Sequence, residues 1–314
     1  MPVDPQCQAI LDAAATQGAP FANDDYHAIR GAYADTTARY RHPSPALAAV
    51  SDQTFTGPAG AVPIRCYIPV TEMAGPLPCL VYFHGGGWVV GDLATHDHMC
   101  RYLAAGAGIC VIAVDYRLAP EHPFPAGFED CLAAVRWVAG SAASLNIDPR
   151  RLAVGGDSAG GNLAAAVAIA LRDTGGPLPA LQLLIYPATD MTADNDSLRD
   201  NAEGYLLTRA AMDLFTRWYV PDSAQRSDPR ASPRHGTHAG LPRAFIQTAE
   251  YDPLRDEARD YAETLTAAGV AVEYRCYPGM VHGFARMGGI VDAGIAALDD
   301  ACEALRSALN AAPA

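Results

Sequence analysis

The stretch Gly156-Asp157-Ser158-Ala159-Gly160 lies between an apolar run at 151–155 and an alanine-rich run at 162–172. Arg151, Leu152, Ala153 and Val154 read as a strand, whereas Leu163, Val167 and Leu171 recur at helical spacing. A GxSxG placed where a strand turns into a helix is a nucleophile elbow, a reversal sharp enough to lift the serine hydroxyl clear of the backbone. Small residues flank the serine because larger side chains would clash in so tight a turn. The same five residues would also suit an ordinary turn. The order strand, elbow, helix is what selects Ser158 as candidate nucleophile.

Working outward, Cys79-Leu80-Val81-Tyr82-Phe83 is a continuous apolar run suited to a buried parallel strand. It ends in His84-Gly85-Gly86-Gly87-Trp88, where bare glycines leave backbone N–H groups unobstructed. Such donors, with the N–H of Ala159 after the serine, suit an oxyanion hole preset where negative charge develops. Downstream, the strand-like run 244–249 leads into Glu250-Tyr251-Asp252, and 270–277 leads into Pro278-Gly279-Met280-Val281-His282-Gly283-Phe284. A serine is a poor nucleophile unless an imidazole takes its proton and a carboxylate holds that imidazole in the useful tautomer. His282 is therefore the candidate base and Asp252 its orienter, in the chain order Ser, Asp, His.

Rivals exist for each role. Asp157, fixed inside the elbow, is assigned a structural part in the turn, and Glu250 is the other competing carboxylate. Among the nine histidines, His84 suits anchoring the glycine loop, and His96 and His98 flank Asp97 like metal ligands. They lack a third ligand at suitable spacing, so no metal is expected.

Strand-like and helix-like runs alternate at 62–68, 79–83, 95–106, 109–115, 126–139, 151–155, 162–172 and 181–187, which implies a parallel sheet covered on both sides. The helix 292–309 closes the chain. In the proline loop 116–126, Arg117 and Glu121 are expected to form a bracing ion pair. Short amphipathic helices are expected within 1–50, and 189–242 reads as a turn-rich insertion around one helix at 209–219. These two segments suit a cap over a core made of 51–188 and 243–314. Trp88, Tyr205, Leu206, Leu207 and Phe284 are the candidate substrate contacts.

Bulk properties exclude several classes. An excess of 35 acidic over 22 basic residues, net charge −13, argues against nucleic-acid or anionic-membrane partners. The basic residues are all Arg, from which no function follows. Several of the eight cysteines lie inside apolar runs, the pattern of buried thiols rather than of a disulfide framework. The first twenty residues lack the basic start and apolar core of a signal peptide, and no apolar run reaches membrane-spanning length, so a cytoplasmic setting is expected.

Taken together, HGGGW at 84–88, GDSAGG at 156–161 and the matching segments 116–126, 201–208, 251–256 and 282–284 resemble the hormone-sensitive-lipase family of α/β-hydrolase carboxylesterases, its bacterial branch. The resemblance covers most of 60–290. It implies an α/β-hydrolase fold with a mostly parallel central sheet and a helical cap, and a Ser158, Asp252, His282 triad. It also implies an oxyanion hole of Ala159 with two of the three loop glycines, Gly86 and Gly87 being favoured and Gly85 kept as the alternative. The implied activity is hydrolysis of a small-molecule ester with no cofactor, metal or membrane insertion; pairing as a homodimer is left open. A lactonase, amidase or acyltransferase would use the same residues. A non-catalytic receptor on this scaffold is disfavoured by His282.

Overall fold

A computed structural model describes residues 1–17 and 24–309. The chain begins with two helices, α1 (Pro5–Gln17) and α2 (Tyr26–Tyr40), and a hairpin of β1 (Ala49–Gly57) and β2 (Gly60–Ile68). Strands and helices then alternate as β3 (Leu77–Phe83), α3 (Asp97–Ala107), β4 (Cys110–Val114), α4 (Ala126–Gly140), the short α5 (Ala142–Leu145), β5 (Ile147–Asp157), α6 (Ala159–Asp173) and β6 (Leu181–Ile185). Two helices interrupt the rhythm, α7 (Asp196–Asp200) and α8 (Arg209–Tyr219), before β7 (Arg243–Tyr251), α9 (Arg255–Ala267), β8 (Val272–Val281) and α10 (Asp292–Leu309).

Every residue of β3, β4 and β6 is buried, which is why these strands read as unbroken apolar runs rather than alternating ones. The eight strands form one sheet in the order β1-β2-β4-β3-β5-β6-β7-β8, parallel except where β1 meets β2 and β2 meets β4. Side chains alternate across it. Cys79, Val81 and Phe83 join one apolar cluster with Phe128 of α4 and Leu163 of α6, whereas Leu80 and Tyr82 join another with Met99 of α3 and Leu298 of α10. Helices therefore cover both faces, and the fold is an α/β-hydrolase sheet.

Register places the chemistry. Phe83 pairs with Gly156, Asp157 with Ile185, Ile185 with Gln247, and Tyr251 with Val281. The glycine loop, the elbow and the loops after β7 and β8 thus emerge side by side at the carboxyl edge, where open α/β sheets bind ligands. No helix among the described residues is long and apolar enough to cross a membrane.

Three differences from the sequence reading have physical causes. β1 begins at Ala49, ahead of the expected first strand, because only Phe55 in it is buried and an exposed edge strand carries no two-residue period. Helix α9 was not anticipated: its first turns are crowded with Asp256, Glu257, Arg259 and Asp260, which mask the stripe Ala258, Tyr261, Ala262 and Leu265. The expected Arg117–Glu121 pair does not form. Arg117 instead grips the fully buried Asp130 through Nε at 2.8 Å and Nη2 at 2.9 Å, while Glu121 faces outward and takes Arg30 of α2 at 2.7 and 2.8 Å. A buried carboxylate needs the charge more than an exposed one does.

Glu257 shows burial acting on a titrating group. It is 4% exposed, accepts from the N–H of Thr189 at 2.6 Å and of Asp190 at 3.3 Å, and burial pushes its carboxyl up to about 8. A folded-state value above the unfolded one means that stability is fully present below about pH 4.5 and falls as pH rises through about 8. Glu257→Gln keeps the acceptor oxygen without the titration. Denaturant melts at pH 5 and pH 8 should show the variant gaining roughly 2–4 kcal/mol on wild type between them, at about 1.4 kcal/mol per pK unit. Parallel pH dependence in the two proteins would contradict it.

Candidate active site

Ser158 sits between β5 and α6 with φ 55° and ψ −117°, a backbone conformation that non-glycine residues rarely adopt. The strain is held from both sides: its N–H donates to the carbonyl of Ile185 at 2.8 Å, and its carbonyl accepts from Asn162 and Ala188. Gly156 and Gly160 have no room for a side chain, since a Cβ on either would collide with the carbonyl of Phe83. The flanking glycines therefore let the elbow press against the end of β3.

Ser158 Oγ lies 3.0 Å from His282 Nε2, and His282 Nδ1 lies 2.7 Å from Asp252 Oδ2. Asp252 is fully buried, and its other oxygen takes the N–H of Leu254 at 2.8 Å. With Nδ1–H donating to that carboxylate, Nε2 keeps its lone pair for the serine proton. Glu250, the rival carboxylate, points elsewhere and accepts from the N–H of Gly279 at 2.7 Å.

The glycine loop separates the three candidate donors. The N–H of Gly85 donates to Asp157 Oδ1 at 2.9 Å, so Gly85 is corrected from oxyanion donor to anchor. The N–H groups of Gly86, Gly87 and Ala159 carry no hydrogen bond among the described residues. Gly86 and Gly87 have φ of 122° and 58°. Behind them, Asp157 also accepts from Tyr82 Oη at 2.7 Å and lies 3.3 Å from His96 Nε2. Burial alone would raise its carboxyl, but the attraction of His96 and Arg286 and the hydrogen bond from Tyr82 outweigh burial and hold it well below the usual carboxylate range. His84 Nδ1 donates to the carbonyl of Gly85 at 2.8 Å, its ring stacks on Tyr116 at 4.3 Å, and burial together with His96 pushes it down to about 4.

His96, Asp97 and His98 diverge. His96 turns to Asp157, Asp97 binds Arg65 and Arg101, and His98 Nε2 meets the carbonyl of Arg286. No group of three metal-ligating side chains occurs among the described residues.

Of the expected substrate contacts, Tyr205, Leu206 and Leu207 are half-buried, with the ring of Tyr205 5.0 Å from that of Tyr251 beside Asp252. Trp88 and Phe284 are corrected: Trp88 is 6% exposed and stacked on Tyr219, and Phe284 is wholly buried between Tyr186 and Tyr277. Both rings are spent on packing. Asn201, at the start of the matching segment 201–208, donates from Nδ2 to the carbonyl of Asp252, whereas sequence reasoning missed Tyr82 and Tyr186, whose ring lies 4.8 Å from His282. Neither tyrosine carries a motif; only the fold brings them to the site. A surface cavity of about 220 Å³, lined by residues including Asp190, Asp194, Arg234 and Asp260, shares no residue with this constellation.

Removing the Asp157 carboxylate strands Tyr82 Oη, the Gly85 N–H and His96 together. Asp157→Ala should cost about 3–5 kcal/mol in urea unfolding, the usual result of breaking a buried charged network from one side. Asp157→Asn, which keeps one acceptor oxygen, should lose less. Wild-type midpoints for both variants would remove Asp157 from the structural account.

Comparison with known proteins places the chain. A family model described as alpha/beta hydrolase fold matches residues 80–286. Carboxylesterase NlhH of Mycobacterium tuberculosis is 48% identical over 254 residues, covering 80% of this chain and 79% of that protein. Esterase LipI of the same organism is 42% identical over 314 residues, covering 98% and 96%. The crystal structure of LAE6, an alpha/beta hydrolase enzyme from the metagenome of Lake Arreo, Spain, superposes with a TM-score of 0.93 at 44% identity, covering 97% of this chain and 98% of that one.

Proposed function

Because the chain belongs to the α/β-hydrolase fold family, in the hormone-sensitive-lipase group of carboxylesterases, we propose that it hydrolyses short- to medium-chain acyl esters through an acyl-enzyme on Ser158. The observation that carries this reading is the unbroken line from Asp252 through His282 to Ser158 Oγ, beside a glycine loop and elbow whose Gly86, Gly87 and Ala159 N–H groups have no partner among the described residues.

Ser158 Oγ attacks the ester carbonyl as His282 Nε2 takes its proton, and Asp252 stabilises the imidazolium. The carbonyl oxygen, now an anion, is received by the N–H groups of Gly86, Gly87 and Ala159. The tetrahedral adduct collapses, the C–O bond to the alcohol breaks, and the alcohol leaves with the proton from His282. Water then gives a proton to His282 and attacks the acyl group, and a second collapse releases the acid and restores the serine. The chemistry calls on no cofactor or metal. Amide, lactone and acyl-transfer readings share these steps, but the relatives described above are named as esterases. Eight free thiols, seven of them buried, fit a reducing compartment, and a cytoplasmic setting belongs to the same proposal.

The segment ahead of β1 and the insertion 189–242 serve as the cap. Support comes from their grip on the catalytic loops: Arg30 of α2 donates to the carbonyls of Val89 and Ala119, and α8 packs on the glycine loop.

Ser158→Ala should fold normally and lose on the order of a million-fold in turnover of p-nitrophenyl butyrate. More than a small residual activity in the purified, folded variant would rule out Ser158 as nucleophile. Across p-nitrophenyl esters from acetate to palmitate, kcat/KM should peak at about four to eight acyl carbons, because each methylene that fits adds about 0.8 kcal/mol and those beyond the pocket floor add nothing. A preference for palmitate would refute a shallow capped pocket.

A further inference from the structure

Gly86, Gly87 and Trp88 all have positive φ, and for Trp88, at 62°, the conformation is strained. Two of these residues supply the N–H groups assigned to the oxyanion. Such a loop holds its shape only if its surroundings over-determine it. From the sheet side it is tied by Val89 and Val90 donating to the Gly86 carbonyl at 3.1 and 2.9 Å, and by Ala119 donating to that of Trp88 at 2.9 Å.

From the other side it meets α8. The ring of Phe215 lies so close over Gly87 that a Cβ there would collide with it. One turn on, the ring of Tyr219 lies on the Trp88 indole with centroids 4.7 Å apart and planes 3° from parallel, an offset stack. Tyr219 is itself fixed, its carbonyl accepting the N–H of Phe124 at 2.7 Å, and all three rings are at least nine-tenths buried. Neither Tyr219 Oη nor Trp88 Nε1 has a hydrogen-bond partner among the described residues. The contact is made by ring faces alone, and the phenol hydroxyl takes no part in it.

We propose that Phe215 and Tyr219 are positioning residues for the oxyanion hole, so that catalytic competence depends on α8 being docked on Gly87 and Trp88. This rests on the serine-esterase reading. The insertion then does more than wall a pocket: it completes the donor geometry, and an α8 that lifts away disarms the enzyme while the triad stays intact.

The test compares Tyr219→Phe, Tyr219→Leu and Phe215→Leu with wild type on p-nitrophenyl butyrate. The readouts are kcat, KM, Tm and the inhibition constant of an aryl trifluoromethyl ketone, which presents an oxyanion once Ser158 has added to it. Tyr219→Phe should stay within about two-fold of wild type in kcat with Tm unchanged or raised, because it keeps the ring and removes a stranded hydroxyl. The two leucine variants should lose about 10- to 100-fold in kcat with KM nearly unchanged, a misplacement of donors costing up to about a hundred-fold. Their affinity for the trifluoromethyl ketone should fall by the same factor. If Tyr219→Leu does not fold, Phe215→Leu carries the same expectation alone. Folded leucine variants with wild-type kcat, or with changes in KM only, would overturn the clamp while leaving the esterase reading in place. So would a Tyr219→Phe as impaired as Tyr219→Leu. A wild-type protein that cleaves no ester would overturn the esterase reading and the clamp with it.

Discussion

The site depends on one buried carboxylate that takes no part in the reaction. Asp157 draws together the end of β3 through Tyr82, the glycine loop through the N–H of Gly85, and the start of α3 through His96. Asp157 itself lies one residue from the nucleophile. Burying such a charge is expensive, and the cost is offset only when several donors converge on it. That requirement works as a constraint on geometry: the loop cannot move relative to the elbow without stranding an ion in the core. The N–H of Gly85 is used up in this task, whereas those of Gly86 and Gly87 carry no hydrogen bond among the described residues.

The sheet supplies the remaining precision. Ser158, Asp252 and His282 stand at or just beyond the ends of β5, β7 and β8, and in-register pairing across β6 fixes the separation between elbow and acid loop. The serine is held in an unfavourable conformation by hydrogen bonds at its own N–H and carbonyl, so the hydroxyl is presented without a flexible approach. Full burial of Asp252 keeps its interaction with His282 strong by excluding water from it. Preorganisation here means paying for order during folding rather than at the moment of attack.

How much of this was legible in the sequence follows from the kind of signal each part carries. The elbow, the glycine loop and the triad order were readable because their chemistry restricts residue type at fixed spacing. Buried parallel strands were readable because two covered faces force continuous apolar runs. By contrast β1, an edge strand with Phe55 as its one buried residue, and α9, whose charged first turns hide its apolar stripe, left no periodicity to find. The misassigned partner of Arg117 has a different cause. Glu121 is four residues away in sequence, but Asp130 is on a helix that folds back beneath the loop, and burial rather than proximity decides which carboxylate claims the guanidinium.

Polar and apolar contacts are combined differently in α2 and α8. α2 reaches the core both through Arg30, whose guanidinium spans Glu121 and the carbonyls of Val89 and Ala119, and through Ile29, which is buried in the main apolar cluster. α8 reaches it through Leu214, Phe215 and Tyr219, all buried in the main apolar cluster. Ion pairs near the surface hold weakly and yield to solvent, whereas a desolvated aromatic contact must be pulled apart as a unit.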